Sequence, residues 1–127
     1  MSSLLYVALG GAIGASARHL LGGAMLRLAG PGFPYGTISA NVIGSFLMGV
    51  LVAWLAARSE GDSAMRLFLG VGLLGGFTTF SAFSLDAILM LEKKAYGPFA
   101  AYVGGSVLLS LAALLIGLTL ARKAFAL

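Results

Sequence analysis

The apolar residues of this chain fall into four long stretches, and most of the charged residues are clustered between them. Each stretch has about 20 residues or more, enough for a helix to cross about 30 Å of hydrocarbon. Of the 127 residues, 60% are hydrophobic and 9% are charged, which is more apolar surface than so small a soluble domain can hide. We therefore predict an all-α integral membrane protein, a single four-helix domain over residues 1–127. The predicted spans are Leu4–Leu26, Tyr35–Ala57, Leu67–Leu91 and Pro98–Ala121.

Prolines and a polar loop mark where the predicted spans end. Pro31 and Pro34 interrupt the chain before the second span. Pro98 stands in the first turn of the fourth span, where a missing N–H is tolerated. Arg58–Ser63 is predicted to be the loop before the third span.

Positive charge exceeds negative charge, with eight Lys and Arg against four Asp and Glu. Most of the basic residues stand at span ends, where they meet lipid headgroups, so we expect membrane lipid and not nucleic acid as the partner. The chain has no cysteine, which excludes disulfide and thiol chemistry. No Lys or Arg precedes the first apolar run, so we expect no cleaved signal peptide.

The basic residues are divided almost equally between the two sides of the predicted bundle. One side carries four and the other three, or four if Arg18 reaches it: Arg58, Arg66, Arg122 and Lys123 against Arg27, Lys93 and Lys94. The difference in Lys and Arg between sides orients a membrane protein, and here it is nearly nil. We therefore predict insertion in both orientations and pairing of inverted copies about a two-fold axis in the membrane plane. A single orientation set by weaker cues is the alternative.

Small residues recur at intervals of four in three of the predicted spans. The rows are Gly10–Gly14, Gly11–Ala15, Ser45–Gly49 and Gly72–Gly76. Such rows let helix backbones approach closely. They suggest how copies associate, although packing alone explains most of them.

The third span contains a poor helix interior, "GLLGGFTTFSAFSLD", which runs from Gly72 to Asp86. Its glycine pair loosens the backbone, and Thr78 and Thr79 are stiff at χ1. As one straight helix, the span with its flanks would run about 45 Å, longer than the hydrocarbon requires. We predict a break near Gly75–Thr79, with the hydroxyls of Thr78 and Ser81 capping the second half. A break frees carbonyl oxygens, which protein, water or a cation must satisfy.

Polar side chains inside the predicted spans each need a partner or a purpose. They are Thr37, Ser39, Asn41 and Ser45 in the second span, Thr78, Thr79, Ser81, Ser84 and Asp86 in the third, and Tyr102, Ser106 and Ser110 at steps of four in the fourth. Most are neutral donors, which suit a small anion or water, and hydrogen bonding between helices is the alternative. These spans show no carboxylate cluster of the kind that binds a divalent metal. They also show no nucleophile paired with a base, which would suggest an enzyme.

Two aromatic and two charged residues are further candidates. Phe80 and Phe83 are three residues apart and share a helix face. Their ring edges carry positive partial charge that could meet an anion, although core packing is the commoner role. Arg18 and Asp86 lie at similar depth in the first and third spans. They could pair, each could reach the interface, or Arg18 could draw anions into a vestibule.

In four strings, one in each span, the chain resembles the CrcB/Fluc family of fluoride channels. The strings are "GGAIGASARH", "GTISANVIGSFLMG", "GLLGGFTTFSAFSLD" and "YVGGSVLLS". The third is highly specific, whereas glycine rows alone are weak. The resemblance implies a passive fluoride-selective channel in the cell inner membrane. It also implies an antiparallel, dual-topology homodimer with two fluoride pores and a structural sodium ion at its centre.

The resemblance further implies roles for individual residues. Backbone carbonyls of Gly75 and Thr78 would hold the sodium ion. The fluoride pathway would be lined by side chains from all four spans, namely Arg18, Thr37, Asn41, Thr79, Phe80, Ser81, Phe83, Tyr102, Ser106 and Ser110. Many relatives end the third string with Glu where this chain has Asp86, whose shorter side chain reaches less far.

Two alternative functions stay open. A small multidrug-resistance-like transporter also has four spans and dual topology, but it needs a carboxylate in its first span, where this chain has Arg18 and no acid. A non-transporting membrane subunit would use its polar groups only to join helices.

One comparison separates the channel from the non-transporting subunit. For a channel, Asn41→Ala or Phe80→Ala should alter fluoride flux through a dimer that still assembles. For a subunit without transport, the same variants should alter assembly and leave no flux to change. Fluoride efflux from liposomes and the assembly state in detergent measure the two outcomes.

Overall fold

The computed structural model describes residues 2–58 and 64–125, and among these it contains four helical spans and no strand. All four spans are long and apolar enough to cross a membrane: Ser2–Ala29 (α1), Tyr35–Arg58 (α2), Arg66–Glu92 and Tyr96–Phe125 (α5). The prediction of an all-α, multi-pass membrane protein is confirmed, and the predicted ends differ from those observed by no more than four residues. Of the predicted loop Arg58–Ser63, residues 59–63 lie outside the described part of the chain.

The connection between α1 and α2 is a short turn built from glycine and proline. Gly30 ends α1 with a φ of +80°, which glycine adopts without strain, and its N–H donates to the Leu26 carbonyl at 2.9 Å. Pro34 immediately precedes α2, and its carbonyl accepts from the Ile38 N–H at 3.3 Å. Pro98 lies in the first turn of α5, as predicted.

The third span is interrupted near its middle. It begins as a π-helix, Arg66–Leu74, continues as the short helix Gly75–Phe77 (α3) and resumes as Phe80–Glu92 (α4). Between the two α-helical pieces the backbone is extended, with φ/ψ of −85°/159° at Thr78 and −153°/124° at Thr79. The predicted break is confirmed, whereas the π-helix was not predicted.

The hydroxyls at the break are used differently from the prediction. Thr79 caps α4, because its Oγ1 accepts from the Ala82 N–H at 3.2 Å. The Thr78 hydroxyl donates back to the Leu74 carbonyl at 3.1 Å, and the Ser81 hydroxyl lies 3.4 Å from Thr79 Oγ1. The prediction of Thr78 and Ser81 as caps was wrong because the extended segment includes Thr79, which therefore becomes the residue before the first turn of α4.

Glycines let α1 pack backbone to backbone against the third span. A Cβ added to Gly10 or Gly14 would overlap carbonyl oxygens of the π-helix. In the other direction, a Cβ on Gly76 would lie 2.8 Å from the Gly11 carbonyl oxygen, closer than side chains tolerate. These rows join two spans of one chain, which is the packing role predicted for most of them.

A second close contact joins α2 to α5. A Cβ added to Gly49 would overlap the Leu114 carbonyl oxygen, and one added to Gly117 would overlap that of Phe46. Since α1 packs on the third span and α2 packs on α5, the four spans form two close pairs. The break in the third span lies where these pairs meet.

We expect Gly14→Ala to lower the free energy of unfolding by about 2 kcal/mol, as for a methyl group forced into a packed contact. The opposing atoms belong to the backbones of Leu73 and Phe77, which cannot turn away as a side chain could. Denaturant unfolding in detergent measures the loss. Gly22→Ala on the same helix is the control, since nothing lies within 4 Å of its added carbon. Equal stability of the two variants would contradict this packing.

Candidate functional site

The side-chain amide of Asn41 on α2 holds the extended Thr79 peptide of the third span. The Thr79 N–H donates to Asn41 Oδ1 at 2.7 Å, and Asn41 Nδ2 donates to the Thr79 carbonyl at 3.0 Å. The pair supplies the partners that Thr79 would have had in a continuous helix. An amide suits the position because it presents an acceptor and a donor side by side, and its second N–H is left for another partner.

The break diverts the amides that a continuous helix would direct at the carbonyls of Gly75 and Thr78. The amide four residues beyond Gly75 is that of Thr79, which donates to Asn41 instead. The amide four residues beyond Thr78 is that of Ala82, which donates to the Thr79 hydroxyl. Both carbonyls therefore lose their helical partner and keep acceptor capacity for a ligand.

A groove of about 380 Å³ runs beside the break, between α2, α4 and α5; we call it the polar groove. It brings together six of the predicted pathway residues: Asn41, Thr79, Phe80, Phe83, Ser106 and Ser110. Thr78 also lines it, and Ser81 lies next to it through its contact with the Thr79 hydroxyl. The groove thus brings neutral donors from three spans beside the extended segment, within a lining that is otherwise mostly apolar and includes Val107, Leu111 and Leu114.

Ser106 is the most deeply placed hydroxyl of the polar groove, with 5% of its surface exposed. Its Oγ is buried and has no hydrogen-bond partner in residues 2–58 and 64–125. Leaving a buried hydroxyl unsatisfied costs about 1–3 kcal/mol, so such groups usually meet water or a ligand. The Ser106 hydroxyl is therefore available to donate a hydrogen bond to water or to a ligand in the groove.

Two phenylalanine rings border the polar groove, with their centroids 5.6 Å apart. The Phe83 ring is half-buried, while Phe80 is 78% exposed, so one chain leaves most of the Phe80 ring uncovered. Many apolar side chains of the four spans are exposed to a similar extent, as expected where helices face lipid, so Phe80 is distinguished by its place at the groove and not by its exposure alone.

A second cavity, of about 270 Å³, lies at the turn between α1 and α2; we call it the vestibule. Phe33, Thr37 and Asp86 contribute to its wall, so the predicted pathway residue Thr37 lies here and not in the polar groove. Tyr102 lines neither cavity and is fully buried. Its hydroxyl donates to Asp86 Oδ2 at 2.9 Å.

Arg18 lies apart from the polar groove and the vestibule. Its Nε donates to the Gly76 carbonyl at 3.3 Å, and Asp86 accepts from Tyr102, so the two charged residues do not form the pair considered from the sequence. Gly76 lies on the face of the third span that packs on α1, within reach of Arg18. Asp86 lies beyond the break and is directed toward α5.

Several residues of the site were missed in the sequence. Gly44 and Met48 line the polar groove beside Asn41, and so does Ser45, which the sequence analysis named as a polar residue of the second span but not as a pathway residue. The four-residue spacing of Asn41 and Ser45 already indicated that both lie on one helix face. No sequence signal indicated that the Asn41 amide would bind the Thr79 peptide.

Fold and site together define a small multi-pass membrane protein with a broken third helix beside a largely apolar groove that contains several neutral polar groups. The family model described as CrcB-like protein, Camphor Resistance (CrcB), matches residues 5–118. The chain belongs to the CrcB family.

Its curated relatives carry the name fluoride-specific ion channel FluC. The protein from Phenylobacterium zucineum is 58% identical and that from Caulobacter vibrioides is 56% identical, each over 99% of this chain and 100% of the relative. The protein from Cereibacter sphaeroides is 57% identical over 96% of both chains.

We expect Asn41→Ala to destabilise the break, because it removes both bonds to the Thr79 peptide and costs about 1–3 kcal/mol. Hydrogen exchange should show the Thr79 amide losing most of its protection. Ser45→Ala, one turn along the same helix face, is the control and should leave that amide protected. Unchanged exchange at Thr79 in Asn41→Ala would contradict the role of the asparagine.

Proposed function

We propose that the protein is a passive, fluoride-selective channel that lets fluoride leave the cell across the inner membrane, and that it is not an enzyme. The printed names of its relatives support fluoride as the transported ion. The observation that carries the proposal is the polar groove, where an unpartnered buried hydroxyl and two aromatic rings lie beside a broken helix. Such a cavity offers an anion many weak contacts and no fixed charge.

The chemistry of the groove suits fluoride because the ion is small and holds its water tightly. Crossing the membrane requires a close succession of donors that replace this water without binding too well. Ser106 and Ser110 offer hydroxyls, Asn41 offers its second N–H, and the edges of Phe80 and Phe83 add weakly positive sites.

The remaining pathway residues are proposed at the two ends of the groove. The hydroxyls of Thr79 and Ser81 flank the start of α4. Thr37 and Tyr102 stand on the vestibule side, where the ion would enter or leave. Arg18 contributes positive charge near the break without lining the path, since its side chain binds the Gly76 carbonyl.

We further propose that two copies pair in opposite orientations across the polar groove. A single chain leaves the groove open along one side and Phe80 largely uncovered, so a second copy would separate the ion from lipid. The nearly equal Lys and Arg on the two sides support insertion in both directions. The pairing would give two pores, each related to the other by the two-fold axis.

For the central sodium ion we propose the carbonyls of Gly75 and Thr78 as ligands. Their helical amide partners are diverted to Asn41 and to the Thr79 hydroxyl, so these oxygens fit a hard cation. When bound, the ion would supply fixed positive charge beside the anion path. Asn41 and Thr79 keep the backbone extended and so hold the two carbonyls open for it.

The alternatives have less support. A multidrug-resistance-like transporter requires an acid in the first span, and α1 contains Arg18 and no acidic residue. For the non-transporting subunit, Ser106→Ala is the cleaner discriminating variant, because Ser106 is buried within one chain whereas the Phe80 ring lies on the surface that the proposed second copy would cover. Asn41→Ala also perturbs the break, so it would change assembly under either function.

Liposomes that contain the protein and are loaded with fluoride should release fluoride electrogenically and retain chloride. Ser106→Ala should lower the fluoride flux about tenfold, because it deletes a buried donor that the path needs. Ser84→Ala is the control, since its hydroxyl already donates to the Phe80 carbonyl within α4. Absence of fluoride release from assembled protein would contradict the channel, and a normal rate in Ser106→Ala would remove that residue from the path.

Gly75→Val should abolish sodium binding and weaken the dimer while each chain still folds. Within one chain, the nearest atom to an added Cβ is the Gly70 carbonyl oxygen at 3.5 Å, an ordinary contact. The damage would therefore come from bulk at the proposed axis. Light scattering measures the dimer and elemental analysis measures the sodium content. Normal values of both would refute the axial position of Gly75.

A further inference from the structure

We propose that a groove between α2 and the π-helix binds one anionic phospholipid, whose acyl chain lies in the groove and whose phosphate meets Arg58. We call it the α2–π groove. This inference goes beyond the channel function and does not depend on it, since the groove shares no residue with the proposed fluoride path.

The α2–π groove is a cavity of about 270 Å³ that is bordered by aliphatic and aromatic side chains alone. Two of them, Leu51 and Leu74, are buried in one hydrophobic cluster with Leu55. From Leu47 to Trp54 the groove follows α2 for about 10 Å, comparable with the depth of one leaflet, which is half of about 30 Å of hydrocarbon. Such a groove suits an acyl chain and offers nothing to a free ion. The lining residues are Leu47, Val50, Leu51, Trp54, Leu69, Leu73, Leu74 and Phe125.

The α2–π groove opens away from the polar groove. Val50 follows Asn41 by nine residues, and Trp54 follows Ser45 by nine. Nine residues are about two and a half helical turns. Val50 and Trp54 therefore lie on the side of α2 opposite Asn41 and Ser45, which line the polar groove. A second copy seated on the polar groove would leave this side of α2 to lipid.

Arg58 places positive charge where the α2–π groove meets the membrane surface. It is the last residue of α2, one turn after Trp54, and its guanidinium carbon lies over the Trp54 ring, 5.0 Å from the centroid. Attraction between a cation and a ring uses no N–H donor, and a guanidinium has five donors in a fork that fits phosphate. Trp54 thus forms part of the groove wall and also positions the guanidinium at its mouth.

The other two elements of the groove repeat this arrangement. Arg66 begins the π-helix three residues before Leu69, and Arg122 lies in the last turn of α5, three residues before Phe125. Each element that lines the groove therefore has an arginine about one turn from a lining residue, at the same end of the bundle. The segment 59–63 contains two acidic residues, so basic residues still predominate at this end.

This combination of an apolar groove and a basic mouth favours an anionic phospholipid over a zwitterionic one. Basic sites between membrane helices bind anionic headgroups. The ammonium group of a zwitterionic headgroup would be repelled by the arginines, whereas the glycerol of phosphatidylglycerol carries no charge.

The single tryptophan of the chain makes the site measurable, because Trp54 lines the groove. The protein is reconstituted in phosphatidylcholine bilayers with increasing fractions of phosphatidylglycerol, brominated in its acyl chains, or of phosphatidylcholine brominated in the same way. Bromine quenches tryptophan fluorescence on contact. Half-maximal quenching should occur at an about fivefold lower fraction of the brominated phosphatidylglycerol, the factor expected from one basic side chain near the surface. Arg58→Gln should remove this preference, and Arg27→Gln, at the other end of the bundle, should retain it.

A tryptophan moved to another lipid-facing position separates a site from general attraction of anionic lipid. Leu5 is 58% exposed near the start of α1, which lies on the same side of the membrane as the end of α2 because the two helices run in opposite directions. In Leu5→Trp/Trp54→Phe, the two brominated lipids should quench at equal fractions.

Each other result overturns the proposal. Equal quenching of Trp54 by the two lipids would mean that the groove holds any acyl chain. The same preference in Leu5→Trp/Trp54→Phe would mean that the basic surface attracts anionic lipid without a site. A preference retained in Arg58→Gln would mean that Arg58 does not hold the phosphate, and the two tryptophan positions still decide if that variant fails to assemble. None of these measurements uses fluoride, so failure here leaves the proposed channel function standing.

Discussion

The two hydrogen bonds between the Asn41 amide and the Thr79 peptide are the interaction on which the rest of the site depends. Backbone groups left unpaired in hydrocarbon cost several kcal/mol each, so a helix can open in a membrane only where other groups replace its bonds. Because the Thr79 amide is held by Asn41, its hydroxyl is free to cap α4 and the Gly75 carbonyl loses its helical partner. One asparagine therefore permits both the break and the exposed oxygens beside it.

The glycine contacts explain why the site faces outward. Gly10 and Gly14 bring α1 against the third span, and Gly49 and Gly117 bring α2 against α5. These four glycines therefore make their close backbone contacts within one chain. Arg18 satisfies the Gly76 carbonyl on the α1 side of the break. The opposite side keeps the polar groove and the exposed Phe80 ring, which gives the proposed second copy a surface to cover.

The spans and the break could be predicted from the sequence because both are local properties of composition: apolar runs of membrane length, and a Gly–Gly pair followed by two threonines. The partners across the break could not. The direction of α4 depends on two extended residues, and helical periodicity does not predict it, so Arg18 and Asp86 were compared at equal depth although they face different helices. The cap lies at Thr79, one residue beyond the predicted Thr78. Neither this difference nor the π-helix changes which residues of the span are apolar, so the hydrophobic pattern does not predict them. The groove residues followed from family resemblance, but the isolation of the Ser106 hydroxyl is a property of the folded chain.

Placing bound fluoride in the polar groove is the most direct test of a channel organised by the broken third span. Solid-state ¹⁹F NMR of the reconstituted protein, labelled with ¹³C at serine and phenylalanine, measures dipolar contacts between the ion and nearby side chains. We expect dephasing of the bound fluoride signal by serine and phenylalanine labels, lost for serine in Ser106→Ala/Ser110→Ala. Bound fluoride that shows neither contact, in protein that transports the ion, would contradict the account.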